Sequence, residues 1–171
     1  MEIRELRGDD AEFCFATRTA AFIEKFYDEV GPQIVSLCVT AYPPAAYVAL
    51  AEKAKVFIVE DGGERVGFCT VKRVDDRTAE VPLIYFRLDR LGRGYGGRAM
   101  RVIEEWIRTH WPEVDTLRVD TIIPANTAGF YRKMGFDEVG EAASVFSGQE
   151  VTATRFEKTL GRPSDVETTT H

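Results

Sequence analysis

Residues 90–100 read RLGRGYGGRAM, four glycines and three arginines in eleven positions. Glu80 to Leu88, just upstream, has the composition of a strand. From Gly96 to about His110 the apolar residues Ala99, Ile103, Trp106 and Ile107 fall on one helical face, and Pro112 ends the run. A strand that turns through glycines into a helix exposes backbone N–H groups at the positive end of the helix dipole, where they attract an anion. Gly92, Gly94, Gly96 and Gly97 carry no Cβ, so a pyrophosphate can approach the backbone, and Arg90, Arg93 and Arg98 add charge at its edges. The elements on either side decide which anion-binding fold this is.

Before the loop, a short strand near Glu2 to Arg7 leads to Asp9-x-x-Glu12, the form of a capping box. It opens a helix with Phe13, Ala16, Ala20 and Ile23 on one face. Ile34 to Ala51 has no charge and approaches the length of a membrane span. Pro43-Pro44 cuts it, and Ser36, Thr40, Tyr42 and Tyr47 dilute it, so it reads as two helical pieces joined by a turn, with no membrane partner expected. VFIVEDGGERVGFCTVK reads as a hairpin, with strands near 56–60 and 65–73 around Asp61-Gly62-Gly63. The strand from Glu80 to Leu88 completes a meander.

After the glycine loop and its helix, LRVDTII is a further strand. Asn126 is placed to cap a short helix carrying Phe130 and Tyr131, which Gly135 ends. Segments near 136–146 and 150–160 form a closing hairpin. The order β-α-α-β-β-β-α-β-α-β-β implies an α/β (α+β mixed) fold, a central mixed, mostly antiparallel sheet of about seven strands flanked by about four helices. One domain is expected over residues 1–160, with a polar, frayed tail over 161–171.

The chain has 171 residues, a hydrophobic fraction of 44% and a formal net charge of −6, with a pI near 5.1. That balance argues against nucleic acid, whose backbone is bound by basic surfaces. Cys14, Cys38 and Cys69 are an odd count without metal-ligand spacing, and read as buried thiols in a reducing cytoplasm. MEIRELRGDD has no apolar run of the kind that directs export, so a cytoplasmic location is expected. His110 and His171 are the only histidines and stand in no metal or triad motif, so no metal is expected and His110 reads as a helix cap.

Gly92, Gly94 and Gly97 also satisfy G-x-G-x-x-G, with Asp120 near the distance of a ribose-binding acid. A dinucleotide-binding oxidoreductase needs repeated β-α-β units after the loop, and here an antiparallel meander precedes it while a single strand, a short helix and a hairpin follow. The Gly-Lys-Ser/Thr ending of a P-loop is missing, and a kinase loop would lead into a strand.

Leu91-Gly92-Arg93-Gly94-Tyr95-Gly96 resembles the Gln/Arg-x-x-Gly-x-Gly/Ala signature of the GCN5-related N-acetyltransferases (GNAT), departing from it at Leu91. Asn126 to Phe136, NTAGFYRKMGF, resembles the later motif of that family, with its Phe-Tyr-x-x-x-Gly-Phe ending intact and the Asn-to-Tyr spacing shortened. The resemblance implies that the amides of Leu91, Gly92, Arg93, Gly94, Tyr95, Gly96 and Gly97 hold the pyrophosphate of acetyl-CoA as cosubstrate, with Asn126 also on the cofactor side. It implies that the fourth strand splays from the fifth, so that backbone groups at Phe86 and Leu88 pair with the pantetheine arm. The acceptor is then a small-molecule or peptide amine bound near Tyr27, Asp28, Glu29, Tyr42 and Tyr47, and a homodimer is allowed. A CoA-sensing module without turnover is the nearest alternative.

Acyl transfer to an amine needs a proton acceptor for a group with a pKa of about 10.4, donors for the carbonyl oxygen, and a proton for the departing thiolate. Tyr131 suits the last role, because a phenol of pKa about 10 still holds its proton at neutral pH. Glu80 lies eleven residues before Leu91, the spacing at which some relatives carry a base.

Overall fold

The computed structural model describes residues 1–122 and 124–161, apart from the side chains of residues 124–126 and 146. The tail after Gly161, Ile123 and the side chain of Asn126 therefore lie outside the described residues. Strand β1 (Glu2–Glu5) leads to α1 (Asp10–Ala21), which passes through a π-helical turn, Phe22–Phe26, into α2 (Tyr27–Thr40). Then come α3 (Pro44–Ala51), the hairpin β2 (Lys55–Asp61) and β3 (Glu64–Arg73), and two short strands, β4 (Thr78–Glu80) and β5 (Ile84–Phe86). Helix α4 (Tyr95–His110), β6 (Thr116–Thr121), α5 (Pro124–Lys133) and the hairpin β7 (Asp137–Phe146) and β8 (Gln149–Thr159) complete the order.

The eight strands form one sheet in the order β1-β2-β3-β4-β6-β8-β7, with β5 paired to β3 beside β4. Every pair is antiparallel except β4 with β6. The β2–β3 turn uses positive φ at Gly62 (59°) and Gly63 (80°), the conformation that favours a two-residue hairpin loop. Alternation along β2 assigns the two faces: Phe57 and Val59 pack with Ala99, Ile103 and Ile107 of α4 and with Tyr131 of α5, while Ile58 packs with Cys14 of α1 and Tyr47 of α3. Helices thus cover both faces, and the repeated parallel units of a dinucleotide fold are not formed.

Three expectations are corrected. The strand expected over Glu80 to Leu88 is two strands, which raises the count from seven to eight. Asp9 occupies the N-cap of α1 but makes no side-chain cap bond. Instead the buried Asp10 accepts the Arg7 N–H (2.7 Å) and pairs with Arg4 (2.6 Å) and Arg65 (3.0 Å). The buried face of α1 is Ala11, Cys14, Thr17, Arg18 and Ala21, leaving Ala16 and Ile23 exposed. The segment from Ile34 to Ala51 does divide into two helices, and a further kink falls at Gly31 (φ 78°) before Pro32. Among the described residues no single helix is long and apolar enough to cross a membrane. Cys14, Cys38 and Cys69 are buried and unpaired with one another, and burial pushes the Cys14 and Cys69 thiols up to about 12.

Candidate active site

A bulge separates β4 from β5. Lys72 faces Glu80 and Cys69 faces Ile84, so three residues, Val81-Pro82-Leu83, oppose two on β3. Before the bulge β4 pairs with both β3 and β6, and the Val81 N–H still reaches the Arg118 carbonyl at 3.0 Å. After it, β5 pairs with β3 alone. Leu83 accepts the Thr70 N–H (2.8 Å) and Arg87 donates to the Val66 carbonyl (2.9 Å), so odd-numbered residues face β3. Strand alternation then turns the N–H and C=O of Ile84 and Phe86 into the gap before β6. Leu88 lies past the end of β5, in a 3-10 turn, Leu88–Arg90, where its carbonyl accepts the Leu91 N–H.

The glycines beyond this turn serve two purposes. Gly92 (φ 74°) and Gly94 (φ 75°) bend the chain through the left-handed region into α4, and the space where their Cβ atoms would stand is open. Helix α4 starts at Tyr95, one residue earlier than expected. Its first i to i−4 bond is from the Arg98 N–H to the Gly94 carbonyl (3.2 Å), leaving the Tyr95, Gly96 and Gly97 amides without helical acceptors. Gly96 and Gly97 allow packing: an added Cβ would come 3.1 Å from the Phe130 ring at Gly96 and 3.4 Å from the Met134 sulfur at Gly97. The Tyr95 side chain is buried, stacked on Phe86 and donating its hydroxyl to Asp61, so only its backbone faces outward. Of the three arginines, Arg90 is held by Glu64 and Asp89, whereas Arg93 and Arg98 have no carboxylate partner among the described residues.

A cavity of about 600 Å³ passes through the gap. Leu91, Gly96, Phe86 and Tyr131 line one part of it, and Arg18, Phe22, Tyr42 and Tyr85 another. Tyr131 is wedged among Phe130, Phe136 and Phe156, with ring centroids 5.2–5.7 Å away, and its hydroxyl has no hydrogen-bond partner among the described residues. Burial holds this phenol well above its ordinary pKa, which keeps it protonated. Glu80 also borders the cavity, accepting both Nε (3.1 Å) and Nη2 (3.0 Å) of Arg118 and pairing with Lys72 (3.2 Å). Asp120 is clamped by Arg155 through two bonds of 2.8 Å, an ion pair across β6 and β8.

Of the residues expected near an acceptor, Tyr42 borders the cavity, Tyr47 is buried against Phe68, and Tyr27, Asp28 and Glu29 stand exposed on α2. Asn126 is the third residue of α5 rather than its cap, since the helix begins at Pro124. Gly135 (φ 86°) ends that helix, with the Phe136 N–H returning to the Tyr131 carbonyl at 3.0 Å. Arg18 escaped the sequence reading. Its one signal was a charge at helical spacing between the apolar residues Cys14 and Phe22. Among the described residues no group of three or more His, Cys, Asp or Glu side chains could hold a metal ion.

Residues 52–138 match the family model of the acetyltransferase (GNAT) domain. The chain belongs to the GNAT acetyltransferases. Solved structures agree on the fold of this GNAT protein. A GCN5-related N-acetyltransferase from Rhodopseudomonas palustris, also described as a class-II aminotransferase, superposes with a TM-score of 0.78 at 21% identity, over 93% of this chain and 95% of that one. PaiA N-acetyltransferase from Thermoplasma acidophilum, in complex with coenzyme A, gives 0.71 at 14% identity over 92% and 98%. Spermidine N-acetyltransferase from Vibrio cholerae, in complex with CoA and spermine, gives 0.67 at 16% identity over 93% and 95%. No curated protein matches the GNAT chain by sequence.

Proposed function

We propose that this GNAT protein transfers an acetyl group from acetyl-CoA to a primary amine by direct attack. One observation carries the reading: a single cavity, bordered by Leu91 and by Gly96 in the first turn of α4, reaches the unpaired edge of β5 and Tyr131, whose hydroxyl has no partner among the described residues. The residues present fit the cosubstrate. The open space ahead of Gly92 and Gly94 is a cradle that side chains would fill, and Arg93 and Arg98 offer charge that no carboxylate among the described residues pairs with. Acetyl-CoA supplies an acyl thioester, an acyl group with a good leaving group.

The amides between residues 92 and 97 hold the diphosphate, and the free backbone of Ile84 and Phe86 pairs with the amide-bearing arm. The Phe86 N–H faces the carbonyl oxygen on which negative charge grows. Tyr131 gives its proton to the departing sulfur. Glu80, fixed by Arg118 and Lys72, relays the amine proton through water, and the apolar cavity walls favour the neutral amine.

The test has two arms. Acetyl-CoA at a hundred times its Kd should add about 2.7 kcal/mol of stability while NAD(H) adds none, and thiol release should follow addition of an amine. Stabilisation by NAD(H) alone would overturn the assignment. Stabilisation by acetyl-CoA with no thiol release from any amine would make the protein a CoA-sensing module.

A further inference from the structure

The Arg18 guanidinium lies inside the protein with no anion beside it among the described residues. It is 2% exposed on the buried face of α1, and borders the cavity. One nitrogen, Nη1, donates to the Cys38 carbonyl, and the Tyr85 hydroxyl is within reach, but Nε is buried with no acceptor. No carboxylate among the described residues pairs with Arg18. Aromatic rings enclose it instead, with Phe22 and Tyr42 each 4.7 Å and Tyr85 5.8 Å from the guanidinium carbon.

The surroundings do not balance this charge. Glu80 is matched by Arg118 and Lys72, and Asp120 by Arg155, while Lys25, also on the cavity, makes no ion pair among the described residues. A chain with a net charge of −6 thus carries surplus positive charge in this recess. Position separates Arg18 from the glycine loop. Neighbouring residues of β5 point to opposite faces: Phe86 stacks on Tyr95 of α4, and Tyr85 packs against Arg18 of α1 and Phe22 of the π-helical turn that follows it. Arg18 therefore addresses whatever enters from the α1 side, and the donor's phosphates belong to the α4 side.

We propose that the acceptor is an amine that also bears a carboxylate, an amino acid or similar molecule, and that Arg18 binds the carboxylate. The inference rests on the acyl-transfer reading and deepens it. A guanidinium forms two parallel bonds to a carboxylate, and the low dielectric of an aromatic recess strengthens them. The same charge disfavours polyamines, which would bring a second cation beside it.

Matched acceptors test this: phenylalanine against phenethylamine and phenylalaninamide, and leucine against isoamylamine, assayed by thiol release at saturating acetyl-CoA. Each carboxylated acceptor should show kcat/KM at least tenfold above its partners. In Arg18→Gln the ratio should fall toward one, chiefly through KM, with the acetyl-CoA thermal shift unchanged, and Arg18→Lys should keep part of the preference. If Arg18→Gln does not fold, the wild-type ratios decide. Equal turnover of the matched pairs, or faster turnover of spermidine, overturns the carboxylate site and leaves acyl transfer standing. Calorimetric titration with the same pairs covers the converse: carboxylate-dependent binding without thiol release supports the Arg18 site and overturns acyl transfer, and absence of both overturns both.

Discussion

Gly67 leaves the space that the Phe86 ring fills. An added Cβ at Gly67 would run into that ring and come 2.6 Å from the Tyr85 carbonyl oxygen, which is backbone and can yield only if β5 moves. The close approach of β3 and β5 at this point sets where the Phe86 backbone opens into the gap. Gly67→Ala should therefore cost about 1–3 kcal/mol of stability, as overpacking does. Thermal denaturation would show a fall of about 2–4 °C per kcal/mol for a chain of this size. Thiol release should fall further than the lost folded fraction explains.

Tyr131→Phe removes a hydroxyl that has no partner among the described residues and keeps the packing against Phe136 and Phe156. Loss of a general acid lowers turnover by about 10²-fold or more. The maximal rate of thiol release with a good acceptor should drop by that order, while the melting temperature and the acetyl-CoA shift stay near wild type.

Gly94→Val combines an unfavourable backbone, φ 75°, with a side chain in the cradle ahead of the α4 amides. Calorimetry should show the Kd for acetyl-CoA rising at least about tenfold, since one backbone bond to an ionised group is worth about 1.5–3 kcal/mol. Gly62→Ala, at φ 59° in the β2–β3 turn, is the control. It should lower stability and leave the Kd unchanged.

Asp10 sets a limit on acid stability. Burial raises its carboxyl, and the bonds from Arg4, the Arg7 N–H and Arg65 more than reverse this, holding it lowered to about 2. A carboxyl depressed on folding contributes stability that is complete above the unfolded pKa and lost as pH falls through the folded one. Here that is about 2 kcal/mol, present above pH of about 5 and lost between about 4 and 2. Denaturant unfolding from pH 7 to 2 should show this loss, and Asp10→Asn should be weaker at neutral pH with a flatter acid limb.

Much of the fold was legible because local signals agreed with tertiary ones: Gly62-Gly63 for the hairpin, the Ala99-Ile103-Ile107 face for α4, and Gly135 for the end of α5. The misreadings fall where distant partners decide. Arg18 and Thr17 lie on the buried face of α1, so hydrophobic periodicity assigned that face to Ala16 and Ile23. Asp10 is the buried acid here, held by Arg4 and by Arg65 from β3, 55 positions away, while the exposed Asp9 meets Arg65 only at 3.4 Å. Arg90 is occupied by Glu64 of the hairpin, which no spacing rule connects to the loop. Pro82 was the readable warning that Glu80 to Leu88 is not one strand, because a proline cannot complete a ladder inside a sheet.

A crystal structure of the chain with acetyl-CoA tests the central claim most directly. The expected result is density for the diphosphate on the amides of residues 92–97, with the thioester carbonyl at the Phe86 N–H and the sulfur beside the Tyr131 hydroxyl. Acetyl-CoA bound elsewhere, with those amides facing solvent at saturating ligand, would contradict it.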